Sequence, residues 1–214
     1  VSAPSYDPNE FARGIGSQLW AKLVTDPNKP LRNKVVQDHY SPGSTFKAFM
    51  ALTALQEQVI TPTTIINCPG SFAFGKRLYH DSLKQGHGNI NVVQALEESS
   101  NVFFYKMGIA LGIDKMHKYI SQFGIGQKTG IELPREIPGL MPSAEWKKAA
   151  LGEEWQGGEN LSVAIGQGFV QASPIQMAIA YNAVGLEGKV YKPFIIKQVT
   201  DKDGKILMEN QETL

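Results

Sequence analysis

Between Ser44 and about Gln58, the residues Phe46, Phe49, Met50, Leu52 and Leu55 recur at helical spacing on a segment that is apolar over much of its circumference. A helix with so little polar surface belongs at the centre of a fold, and the remaining chain must wrap it. The 214 residues, 42% of them hydrophobic, suffice for one globular domain or a large part of a bigger one. Lysine plus arginine (21) nearly balances aspartate plus glutamate (20), which points away from nucleic acid and towards a small or uncharged partner. No run approaches the roughly 18 apolar residues of a membrane span, and no basic-then-apolar signal pattern opens the chain. It begins on "VSAPSYDPN" without an initiating methionine, as a mature, trimmed or excised piece would. The single cysteine, Cys68, leaves the redox compartment open.

Local signals divide the rest of the chain. A short amphipathic piece is expected around Phe11 to Leu23. The stretch "CPGSFAFGKRLYHDSLKQGHG" reads as irregular or short-stranded, followed by helical segments over Val92 to Glu98 and Asn101 to Leu111. A further helix, "IDKMHKYISQFG", ends on Gly124 as a C-cap glycine. In "SPIQMAIAYNAVG", Ser173 is placed as N-cap, Pro174 as first helical residue and Gln176 as the capping-box partner. Beyond it, two strands joined at Asp203-Gly204 form a hairpin. The acidic run at that turn lacks the further oxygen ligands of a calcium loop.

The start of the apolar helix carries chemistry. In "YSPGSTFKAF", Ser44 and Lys47 stand three residues apart, so on a helix the hydroxyl and the amine share a face. A serine hydroxyl needs a neighbouring base, and a lysine serves only where burial or nearby positive charge shifts it towards the neutral form. Phe46, Ala48, Phe49 and Met50 provide such a setting. The plainer alternative is that Ser44 caps a core helix and Lys47 snorkels. About fifty residues on, "EESSNVFFY" places Ser99 and Asn101 where two helical segments meet, and "FGIGQKTGIELPRE" and "LSVAIGQGFVQASPIQMA" follow in order.

With these stretches, together with "PSYDPNEFARGI", "GHGNINVVQALEESSNVFFY" and "GLMPSAEWKK", the chain resembles the transpeptidase domain of the class B penicillin-binding proteins, and among them the elongation-type members. The resemblance implies an α+β fold of the penicillin-binding protein and serine β-lactamase type. Residues 1–214 would form a partial transpeptidase domain, mainly its helical part plus a C-terminal β-hairpin. It implies Ser44 as acylated nucleophile, Lys47 as general base, Ser99 as proton relay and Asn101 as holder of the substrate amide. The implied activity is D,D-transpeptidation of peptidoglycan stem peptides at the periplasmic face of the bacterial inner membrane. β-Lactams would be inhibitors and a membrane glycosyltransferase of the elongation machinery a partner. A serine β-lactamase, a β-lactam sensor and a non-catalytic scaffold are the alternatives.

The family's third motif, Lys-Thr-Gly on a sheet-edge strand, is not assigned to Lys128–Gly130, because that triplet precedes "IGQGF" in a loop of a different kind. "IGQGF" itself is expected to pack its glycine backbone beneath the active-site helix through Gly166 and Gly168. No cofactor is implied for catalysis, but the resemblance allows a structural zinc on Cys68, Asp81 and His87, with Ser100 standing where other members carry a cysteine. A buried thiol, a turn aspartate and a loop histidine are the plainer alternative. Trp20, Trp146 and Trp155 are expected in core or rim packing, and Arg135 and Glu136 as a solvated pair.

Overall fold

The computed structural model describes residues 2–211 and residue 213. Three short helices open the chain: α1 (Pro8–Ala12), α2 (Ser17–Thr25) and α3 (Lys34–Gln37). A 3-10 turn over Gly43–Phe46 leads into α4 (Lys47–Gln56). Then come β1 (Ile66–Cys68), β2 (Ser71–Phe74), β3 (Arg77–His80) and β4 (Gly88–Ile90), followed by α5 (Val92–Glu97) and α6 (Asn101–Ile120). The chain continues with α7 (Ala144–Leu151), α8 (Glu159–Ala164), α9 (Pro174–Gly185), β5 (Gln198–Thr200) and β6 (Ile206–Glu209). The α+β class holds, with three two-stranded antiparallel sheets among the described residues, β1 with β4, β2 with β3 and β5 with β6. Among the described residues no helix is long and apolar enough to cross a membrane.

The apolar helix is central, as its pattern requires: α4 packs against α6, and α6 packs in turn on α8. Phe46, Phe49 and Met50 meet Phe103, Phe104 and Met116 in a core from which water is excluded. Burying side chains of this size stabilises by roughly 1.5–3 kcal/mol each, so this cluster contributes substantially to the stability of the fold. The burial is not complete all round, however. Leu52 remains 38% exposed, so one side of α4 faces outward.

Backbone geometry explains the element boundaries. The helix α6 is interrupted at Gly112, whose φ of 71° and ψ of 164° are non-helical, so the expected break near Leu111 is present. Gly124 adopts the left-handed conformation expected of it, closing a 3-10 turn over Ser121–Phe123. Ser173 caps α9 with the reciprocal Gln176 box. Gln176 is fully buried because its amide also donates to the carbonyls of Gln127 and Pro138, tying the helix start to the preceding loop. The Lys128–Gly130 triplet lies in that loop and belongs to no strand. Glu136 clamps it, accepting from Thr129 N and Thr129 Oγ1 at 2.6 Å each and from Gly130 N at 3.1 Å. Glu136 is therefore a structural clamp and not half of a solvated pair with Arg135.

Candidate active site

Ser44 sits in a 3-10 turn held from three sides. Gly43 N donates to Gly166 O at 2.9 Å, Tyr181 Oη donates to Thr45 O at 2.7 Å, and Tyr40 and Ala172 exchange two backbone bonds of 2.9 Å. Gly43 (φ 58°) and Gly166 (φ 67°) both occupy the left-handed region, and a Cβ on Gly166 would strike Gly43 O and Phe46 Cβ. The glycine Gly166 of "IGQGF" therefore packs directly under the turn that carries Ser44, as expected. Ser44 caps no helix: the turn begins at Pro42 without a side-chain cap, and the α-helical span starts only at Lys47.

The second half of the site is the junction of α5 and α6. The α5 ladder ends with Ser100 N donating to Ala95 O, and Ser99 is forced to φ 54°, a left-handed conformation that an L-residue other than glycine holds only when its surroundings insist. The residues that follow Ser99 are held by Asp81. Its Oδ1 accepts from Ser82 N at 2.7 Å and Asn101 N at 2.6 Å, and its Oδ2 from Ser100 Oγ at 2.9 Å and Val102 N at 3.3 Å. A carboxylate at the start of a helix satisfies otherwise orphaned amides and complements the helix dipole. The N-cap of α6 is Ser100, accepting from Phe103 N at 3.2 Å, so Asn101 is the first helical residue with its side chain free for the site.

The four side chains Ser44, Lys47, Ser99 and Asn101 form one network. Ser99 Oγ donates to Ser44 Oγ at 3.0 Å, and Lys47 Nζ donates to Ser99 Oγ at 3.0 Å, to Ser99 O at 2.7 Å and to Asn101 Oδ1 at 2.7 Å. Lys47 is 1% exposed, with its ammonium 5.6 Å from the Phe104 ring centre. Burial pushes its pKa down to about 8, against an opposing pull from the charge on Asp81. A buried amine this close to neutrality is suited to accept a proton, and the hydrogen bonds connect it to Ser44 Oγ by way of Ser99 Oγ.

The residues considered for zinc are brought only partly together. Asp81 Oδ1 and His87 Nε2 lie 3.5 Å apart, but the Cys68 thiol points to Ile66 O at 3.6 Å, and burial pushes its pKa up, away from the thiolate that zinc requires. The Asp81 oxygens already carry four donors, and among the described residues no three His, Cys, Asp or Glu side chains are grouped as metal ligands. These side chains as arranged do not fit a zinc centre. Sequence reasoning missed Ser82, Ser100 as cap and Asp81 as hub, because these bonds join residues far apart in the chain. Trp146 and Trp155 pack edge-on or tilted against Phe169, and Trp20, though 46% exposed, packs edge-on against Phe11, so all three take the packing roles expected of them.

A family model for the penicillin binding protein transpeptidase domain matches residues 1–213. The chain belongs to this family. Its similarity to the peptidoglycan D,D-transpeptidase MrdA of Salmonella typhimurium is 44% identity over 210 residues, covering 97% of this chain and 33% of the relative. The chain spans about a third of the length of the curated relatives it matches. The crystal structure of Pseudomonas aeruginosa PBP2 in complex with WCK 5153 superimposes with a TM-score of 0.90 at 36% identity, over 99% of this chain and 46% of that one. The complex of PBP2 with MreC from Helicobacter pylori gives a TM-score of 0.87 at 37% identity, over 91% of this chain and 36% of that one.

Proposed function

We propose that this chain carries the acylating machinery of a peptidoglycan D,D-transpeptidase of the elongation type. The observation that supports this most is the continuous hydrogen-bonded path from Ser44 Oγ through Ser99 Oγ to the buried amine of Lys47. In the reacting state Lys47 is neutral. The Ser44 hydroxyl passes its proton to Ser99, and Ser99 passes its own to Lys47, as Ser44 Oγ attacks the carbonyl between the terminal D-alanines of a stem peptide. The C–N bond then breaks and the proton returns along the same path to the departing D-alanine amine. An amine of a neighbouring stem peptide resolves the acyl-enzyme, with the same groups acting in reverse. Asn101 Oδ1 fixes the lysine, and its amide Nδ2, within 3.5 Å of His80 O, is placed to be redirected to a peptide carbonyl.

The periplasmic face of the inner membrane is the location where stem peptides are met, and a membrane glycosyltransferase supplying the glycan is the proposed partner. β-Lactams would acylate Ser44 and stop there. Intact-mass spectrometry after incubation with a fluorescent penicillin tests the assignment. A single persistent adduct is expected, absent from Ser44→Ala. An adduct that survives in Ser44→Ala would refute the nucleophile, and one that hydrolyses within minutes would indicate a β-lactamase.

A further inference from the structure

We propose that Ser82 is a positioning residue that holds the relay serine Ser99 in its reactive conformation through the Ser99 carbonyl. This rests on the reading of Ser44, Ser99 and Lys47 as the acylating set. Ser82 lies in the loop after β3, outside the family motifs, and its side-chain oxygen has three polar neighbours: Ser99 O at 3.2 Å, Asp81 Oδ1 at 3.2 Å and His87 Nε2 at 3.3 Å. A hydroxyl has one proton to give. Asp81 Oδ1 is already occupied by the amides of Ser82 and Asn101 at 2.7 and 2.6 Å, so the proton is best used on Ser99 O. His87, when Nε2 carries hydrogen, then donates to the Ser82 lone pair.

The Ser99 carbonyl has room for such a donor beside the one it already accepts. It lies beyond the α5 ladder, on a residue twisted to φ 54°, and it is also where Lys47 Nζ anchors at 2.7 Å. A neutral lysine has two N–H groups and one lone pair. With Asn101 Oδ1 and Ser99 O taking the N–H groups, the lone pair is left facing Ser99 Oγ. Ser82 supplies the second donor that keeps this carbonyl turned inward, and with it the side chain of Ser99 between Ser44 and Lys47. Its action is on orientation, and it needs no contact with the substrate.

The test is the acylation kinetics of Ser82→Ala and Ser82→Thr in the protein at its natural full length, with Ser44→Ala as control and a fluorescent penicillin as probe. Loss of one hydrogen bond of ordinary strength predicts that the acylation rate constant of Ser82→Ala falls about fivefold, with the dissociation constant of the prior non-covalent complex unchanged. Ser82 is exposed, so the melting temperature should stay at the wild-type value. Ser82→Thr, which keeps the hydroxyl, should restore the rate. Wild-type kinetics in Ser82→Ala, or a Ser82→Thr as slow as Ser82→Ala, overturns the inference while leaving Ser44 as nucleophile. No adduct on the wild type, or an adduct retained in Ser44→Ala, overturns the functional reading and this inference with it.

Discussion

Lys47 joins a stability cost to a chemical requirement in one side chain. Its pKa in the fold is about 8, below its ordinary 10.5, because burial penalises the ammonium more than Asp81 supports it. Between these values the unfolded chain binds a proton that the folded chain has released, so stability rises as pH climbs from about 8 towards 10.5. Below about 8 the full penalty is present, on the order of 3 kcal/mol. In the proposed mechanism the neutral amine is the base, so acylation should follow the same titration. The acylation rate should rise close to tenfold per pH unit up to about 8 and level off above it. Stopped-flow acylation by a penicillin between pH 6 and 9.5 measures this, and a flat profile would refute a neutral-lysine base. Lys47→Arg should not acylate at any of these pH values, since a guanidinium stays protonated.

At the scale of elements, α6 and α8 approach closely enough to require a glycine. A Cβ on Gly108 would come within 2.7 Å of Ala164 Cβ and 2.8 Å of Asn160 O, so only glycine lets the two helices meet. Gly108→Val should destabilise by about 1–3 kcal/mol, because overpacking outweighs the gain in helix propensity, and a urea titration would show it as a lowered midpoint. A midpoint at or above the wild-type value would mean that the helices separate at no cost. Such contacts explain what the sequence could and could not reveal. The Ser173–Gln176 box, the Gly124 end and the hairpin at Gly204 are local, and each was legible. The pairing of Cys68 with Gly88, and the reach of Asp81 to Ser100, join residues about twenty apart and leave no local pattern. The helix α7 was missed despite its Ser143 N-cap and left-handed Gly152, because its polar residues blur the periodicity. At the site, spacing suggested Ser44 and Lys47 and the family resemblance added Ser99 and Asn101, but neither gave the path between them, which depends on the twist at Ser99.

For the whole molecule, the partial exposure of α4 matters as much as its burial. Leu52 of α4 is 38% exposed, and Tyr181 and Val184 of α9 are 44% and 42% exposed. Together with Phe123 at the end of the α6 region, Leu52 and Val184 line a groove of about 540 Å³. The helix α9 buries Ala180 and Ala183 on its inner side yet carries apolar residues outward as well, a pattern usual for a helix covered on both faces. The groove has a mixed lining, with Gln56, Gln122 and Glu187 beside these apolar side chains, and it lies along the helix that follows the Ser44 turn. Prepared by itself, the 214-residue chain should therefore bind a hydrophobic dye such as anilinonaphthalene sulfonate in its folded state. Replacing Leu52 and Val184 together by glutamate should cut the dye fluorescence at least by half while leaving the far-ultraviolet circular dichroism unchanged. Unaltered fluorescence in that double variant would place the dye elsewhere and remove the groove as the main apolar surface of the chain.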